Sequence, residues 1–149
     1  MQPLQAADFE ALLKTASDPL IWEQHPNKNR WHRDVFQNYF EGAIQSGGAL
    51  MAIDKQTNEI AGCSRFYDYN EAEQSVFIGY TFLARKFWGK QYNPAMKNLM
   101  INHAFQFVNT VLFHIGAENI RSQIAISRVG ATKRREVIVA YYGEPDKHN

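Results

Sequence analysis

The chain has a single cysteine, Cys63. One thiol closes no internal disulfide, and neither CxxC nor CxxH spacing is present, so no metal is expected. Neither sign of charge is in excess, with 16 Lys and Arg against 15 Asp and Glu. A near-neutral chain projects no global field, so neither nucleic acid nor an anionic membrane is expected as a partner. No apolar run reaches the length of a membrane span. Met1 is followed by Gln-Pro-Leu-Gln, without the basic start and apolar stretch of a secretory leader. No repeat, low-complexity tract or linker divides residues 1–149, which suit one domain around one core. The expectation is a soluble cytoplasmic protein of one domain.

What the chain does have is periodicity that changes along its length. Phe9, Leu12 and Leu13 recur at helical intervals, ended by Asp18-Pro19. Residues 25–30 read as a turn-rich loop. Residues 31–46 read as a second helix with Val35, Phe36, Tyr39, Phe40 and Ala43 on one stripe, stopped by Gly47-Gly48. The period then becomes two: strands are expected at 49–54 and 60–69, with turns between. Residues 75–83, "SVFIGYTFL", are apolar on both faces and read as a central strand. Residues 94–109 form an amphipathic helix with Met96, Leu99, Met100, His103 and Phe107 inward, Pro94 in its first turn and Asn93 as N-cap. A short buried strand at 111–116, a helix from Asn119 to Gly130 and a last strand after Lys133, Arg134 and Arg135 complete the order. That order is α/β, a sheet with helices on both faces.

Residues 84–98, "ARKFWGKQYNPAMKN", place Arg85, Lys86, Gly89 and Lys90 between that central strand and the next helix. Two readings are open: a solvated basic loop, or an anion cradle built from free first-turn N–H groups and the helix dipole. It is not a Walker A loop, because no earlier glycine has the right spacing and Gln91 stands where Ser or Thr would hold magnesium. GxGxxG is absent. The early aromatics, Trp22, Trp31, Phe36, Tyr39, Phe40, Phe66, Tyr67 and Tyr69, serve as core or as lining of a substrate pocket.

Residues 86–91, Lys-Phe-Trp-Gly-Lys-Gln, with "YNPA" after them and Asn119, Ser122 and Gly130 downstream, resemble the GNAT superfamily of acyl-CoA-dependent N-acetyltransferases. The stretch stands where the family has its Q/R-x-x-G-x-G/A loop. "FIGYTF" is similar to the fourth strand of the subgroup that includes ribosomal-protein-alanine N-acetyltransferases. The resemblance spans most of the chain from about residue 4, and the order of elements agrees with it. It implies a mixed, mostly antiparallel twisted sheet and acetyl-CoA as co-substrate. The pantetheine arm would lie between splayed fourth and fifth strands, against Phe82, Leu83 and Ala84. The pyrophosphate would lie on the loop from Trp88 through Gly89, Lys90, Gln91 and Tyr92 to Asn93, with Lys86 and Lys90 adding charge. An acceptor amine would attack the thioester directly, with an oxyanion hydrogen bond near Leu83. Asn119 would orient the arm, and Ser122 would donate a proton to the leaving thiolate. Arg65, Tyr67 and Tyr80 are the residues assigned to the acceptor.

The chain departs from the family pattern at three places. Gln91 replaces the second small residue of the loop, Phe77 replaces the fourth-strand carboxylate, and Ile126 replaces the tyrosine acid of the following helix. A water-relayed base would come from Glu118, His114, Asp68 or a tyrosine. Bland readings stand beside these: His103 and His114 as core histidines, Ser122 as a small packing residue, Asn119 as an N-cap, Arg65 paired with Asp68 or Glu10, Tyr80 in cleft or core. The first strand is expected to be clipped and the last missing or disordered, leaving an open sheet edge: the chain would either dimerise through it or be a shortened form that has lost stability. Two functions follow: an N-acetyltransferase acting on a protein N-terminus or small amine, or a catalytically weak acyl-CoA sensor. An α/β binding domain unrelated to CoA is the third.

Overall fold

The computed structural model describes residues 1–25, 27–89, 91–115, 117, 119–127, 138–139 and 147–148. The helical spacing of Leu12, Leu13 and Ala16 gives α1 (Phe9–Ala16), which buries those three side chains. The stripe at 31–46 gives α2 (Arg33–Ser46), which buries Phe36, Tyr39, Phe40 and Ala43. Gly47 ends α2 in the left-handed conformation at φ +68°, its N–H returning to the Ile44 carbonyl.

Five strands follow the predicted order: β1 (Gln2–Pro3), β2 (Ala49–Ile53), β3 (Ile60–Asn70), β4 (Ser75–Leu83) and, after α3 (Tyr92–Ala104), β5 (Thr110–Leu112). The sheet runs β1-β2-β3-β4-β5. It is antiparallel up to β4 and parallel between β4 and β5. Central placement of β4 explains its two apolar faces. One face carries Met51, Cys63 and Phe82 against α1, α2 and Trp22. The other carries Ala52, Ala61 and Leu83 against Met96 of α3. Helices therefore cover both faces, as predicted. Each fully buried large side chain, such as Phe36, contributes roughly 1.5–3 kcal/mol by leaving water. α4 (Ile120–Ser127) follows β5 and carries the buried Ile126. β6 (Ile138–Val139) and β7 (Lys147–His148) form a separate antiparallel pair, so a short strand does follow the sixth where none was expected.

The third helix departs from its predicted form. It starts at Tyr92 with Gln91 as N-cap, so Asn93 lies inside the first turn. It ends at Ala104, and a tight turn returns the Val108 N–H to the Ala104 carbonyl. That turn swings Phe107 outward and buries Val108 in its place. The inward row is Met96, Lys97, Met100 and Ala104. Leu99 is 63% exposed and Phe107 64%, and His103 is a surface residue beside Phe107. His103 is thus no core histidine. His114 lies past the end of β5, half-buried, not within a buried strand.

Candidate active site

β4 and β5 begin side by side and then part. Their pairing runs from Ser75↔Thr110 to Phe77↔Leu112. Beyond it, β4 from Ile78 to Leu83 and the segment from Phe113 to Ile115 line a cavity of about 800 Å³. Strand edges that leave a ladder carry N–H and C=O groups that an extended ligand can complete. The cavity runs on to Trp88, Gly89, Gln91 and Asn93 at the start of α3, and to Asn119 and Ser122 at the start of α4.

Beyond the last pair, Phe77↔Leu112, the backbone of β4 is itself irregular. β3 and β4 pair Arg65↔Gly79 and then Cys63↔Phe82, so two steps on β3 answer three on β4. The extra residue is a bulge, and Tyr80 takes it at φ +53°. A tyrosine in that region is strained by about 1–3 kcal/mol and must be held there. The Tyr39 hydroxyl donates to the Tyr80 carbonyl at 2.5 Å. The Arg65 guanidinium lies 3.7 Å from the centre of the Tyr80 ring. Tyr80 and Phe82, two residues apart, both face the α2 side, and Thr81 between them meets α3.

Sequence reasoning missed Lys97. It is 5% exposed, lines the cavity, and donates to Thr81 Oγ1 at 2.7 Å. Thr81 Oγ1 is 2.7 Å from Ser64 Oγ, whose hydroxyl donates to the Gly79 carbonyl at 3.3 Å. Burial alone pulls the Lys97 pKa from 10.5 to about 7. The available signal was its position between Met96 and Met100, on the inward row of an otherwise apolar helix face. Arg121 was missed too: its guanidinium sits 4.0 Å from the Trp88 ring centre and donates to the Ile21 carbonyl at 3.1 Å.

The predicted site residues divide into those that reach the cavity and those that do not. Phe82, Leu83, Trp88, Gly89, Gln91, Asn93, Asn119, Ser122 and Tyr80 line it. Gly89 and Gln91 adopt φ +72° and +66°, so Gln91 takes the left-handed conformation that a glycine would supply without strain. The buried Oδ1 of Asn93 has no partner among the described residues. Trp88 Nε1 donates to the Leu83 carbonyl at 3.0 Å and ties the loop to the strand end. Asn119 Oδ1 accepts from the Ser122 N–H at 3.3 Å, so it caps α4 within the cavity wall. Ala84, Lys86 and Tyr92 stand outside the lining. Lys86 is spent on Glu59, and the Tyr92 hydroxyl donates to Asp54.

Arg65 pairs with neither Asp68 nor Glu10. It is buried, donates to the Tyr39 carbonyl at 3.0 Å and stacks on Tyr80, while Glu10 is held by Arg33. Tyr67 lies behind the wall, its hydroxyl 3.3 Å from His114 Nδ1. Asp68 is exposed and away from the cavity. Of the early aromatics, Trp22 reaches the cavity, Phe36, Tyr39 and Phe40 fill the core, and Tyr69 is exposed. Lys90, Glu118, Gly130, Lys133, Arg134 and Arg135 lie outside the described residues.

Residues 1–132 match the acetyltransferase (GNAT) domain. The fold is similar to that of spermidine N-acetyltransferase from Vibrio cholerae in complex with CoA and spermine, with TM-score 0.71 and 12% identity over 99% of this chain and 88% of that one. It is similar to a GNAT-family acetyltransferase from Bacillus anthracis, with TM-score 0.74 and 16% identity over 99% and 89%. A T. thermophilus protein described as an acetyltransferase gives TM-score 0.71 and 25% identity over 91% and 72%. No curated protein matches the chain.

Proposed function

The chain belongs to the GNAT acetyltransferases and is an acetyl-CoA-dependent N-acetyltransferase; on that premise we propose that it acetylates a primary amine by direct attack on the thioester. The observation that carries the reading is the cavity between the parted ends of β4 and β5, which runs to the N-terminus of α3. Its residues fit the co-substrate. The free N–H groups at Gly89 and Gln91–Asn93 suit a pyrophosphate, the unpartnered Asn93 Oδ1 suits an N–H donor, and the open edge of β4 suits an amide-bearing arm. In this reading Phe82 and Leu83 flank that arm, Asn119 orients it, and Ser122 donates to the leaving thiolate. Lys86 and Tyr92, held by Glu59 and Asp54, serve the loop's shape instead of touching the ligand. The bulge at Tyr80 interrupts the ladder between β3 and β4, so the oxyanion donor is assigned there, a few residues before Leu83.

Among the described residues no carboxylate lines the cavity. A polyamine would bring several positive charges to a wall that holds Arg121 and, among the described residues, no carboxylate to receive them. The wall therefore favours an acceptor with one amine, such as a protein N-terminus, over the spermine seen in the Vibrio cholerae protein. The "FIGYTF" strand supports the same choice through its likeness to the ribosomal-protein-alanine subgroup. Dimerisation through a sheet edge remains a proposal that sedimentation velocity tests.

A second reading rests on Gln91, whose strained backbone weakens the cradle: an acyl-CoA-binding module with slow turnover. Calorimetric titration with acetyl-CoA, with Gly89→Glu beside it, tests both. Binding that is lost in the variant supports the cradle, and transfer to an amine then separates enzyme from sensor. Absence of binding by folded protein overturns both readings.

A further inference from the structure

A lysine sealed inside an acetyl-CoA cavity, with no carboxylate on the surrounding wall among the described residues, is poorly placed to stay charged. We propose that Lys97 is the proton acceptor of the reaction, taking a proton from the acceptor's ammonium so that the amine can attack. The inference rests on the transfer reading above and names one residue for a role that the family resemblance leaves unassigned. The positions where the family resemblance places acid–base groups carry Phe77 and Ile126.

Three observations support it. Lys97 lines the same cavity as Tyr80 and Thr81, and its amine is held on Thr81, the residue next to the bulge. The polar chain that holds it has a direction. The Gly79 carbonyl can only accept, so Ser64 donates to it, Thr81 donates to Ser64, and Lys97 donates to Thr81. A neutral amine in that arrangement keeps its lone pair for the cavity. Finally, burial brings Lys97 to about 7, where a base works best near neutral pH.

The other titratable or charged groups of the wall are less suited. His25 Nδ1 accepts from the Asn27 N–H at 2.9 Å. His114 Nδ1 is engaged by Tyr67. Arg121, on α4, does not give up its proton. Tyr80, on β4, lies under the Arg65 guanidinium. None of them contributes to the Lys97 shift, which comes from burial.

The step balances. One ammonium proton passes to Lys97 Nζ. The freed lone pair forms the C–N bond as the C–S bond breaks. The second nitrogen proton replaces the one that Ser122 gives to the thiolate, leaving free CoA thiol and Ser122 unchanged, and Lys97 returns its proton to solvent.

The test follows thiol release from acetyl-CoA with an N-terminal alanine peptide and with spermine, from about pH 5 to about pH 9. The expected wild-type rate rises through a limb near pH 7. Lys97→Met is expected to lower kcat about 100-fold and to erase the limb, with acetyl-CoA affinity by calorimetry within about twofold. A structural role would not move the limb. A variant within about threefold of wild type, or a wild-type profile without the limb, overturns the proposal. NMR of 13C-labelled lysine in the wild-type protein needs neither variant nor acceptor. Lys97 still charged at about pH 9 overturns the proposal even if transfer is robust. Acetyl-CoA binding without acetylation of either amine overturns the transfer reading, and this role with it.

Discussion

The hydroxyl of Tyr39, on α2, donates to the carbonyl of Tyr80, on β4, across 41 positions of sequence. The bond fastens a helix to the one residue of β4 with a left-handed backbone. Tyr39→Phe leaves that carbonyl without its donor and is expected to cost about 1–3 kcal/mol in chemical denaturation. If the bulge positions the thioester, kcat falls further than the lost stability explains. Wild-type stability in this variant would mean that the bulge is held by something else.

Lys97 also sets a pH dependence of stability. Its folded pKa of about 7 lies below the ordinary 10.5, so the unfolded chain binds the extra proton between those values. Stability then rises with pH, by up to about 1.4 kcal/mol per unit from about pH 7 to about pH 9. Above the ordinary thiol value of 9.0 the buried Cys63, raised to about 11, opposes it, because the unfolded thiol ionises first. Denaturant melts of wild type and Lys97→Met across this window check the sign. The wild-type slope is expected to be positive, and the variant's nearly flat.

Gly62 is packed against β4 so closely that a Cβ there would lie 2.0 Å from the Phe82 carbonyl oxygen. Gly62→Ala must push that backbone away. It is expected to destabilise by about 2 kcal/mol or more and to weaken acetyl-CoA binding, since Phe82 lines the cavity. Thermal melting and calorimetry on one preparation read both effects.

Arg121 joins α4, the Ile21 carbonyl and the Trp88 ring. Arg121→Ala is expected to reduce acetyl-CoA affinity about fivefold by loosening Trp88 at the loop. Arg121→Lys is expected to recover only part of it, because an ammonium lacks the flat face that stacks on indole. An unchanged dissociation constant for Arg121→Ala would detach this contact from the site.

The acceptor preference is open to competition. With both substrates present, the alanine peptide is expected to be acetylated at least about tenfold faster than spermine, because the wall offers a polycation no carboxylate among the described residues. Mass spectrometry of the two products decides it, and a preference for spermine would place acidic residues of the acceptor site outside the described wall.

Local chemistry explains what could be read before folding. Alternation at 60–69 and the unbroken apolar run at 75–83 encode β3 and β4 within a residue, because facing requirements repeat every two residues. Gly47 and Asn119 announce helix ends through their own conformational and hydrogen-bonding preferences. The loop at 84–98 was legible for the same reason, because it is a short, contiguous stretch.

The roles of Lys97, Tyr80 and Arg65 were not local. A lysine within a helix is ordinary until β4 and the segment after β5 close around it and remove its water. An arginine in a strand suggests an acid, yet its partners come from α2 and the face of a ring on β4. A tyrosine in a strand gives no sign of a bulge, because the extra residue exists only relative to the register of β3. Sequence by itself determined the elements, their order and the position of the loop between β4 and α3, each a matter of neighbours along the chain. Only the tertiary structure decided where the sheet opens and which amine is stripped of solvent there, because burial and register are relations between distant segments.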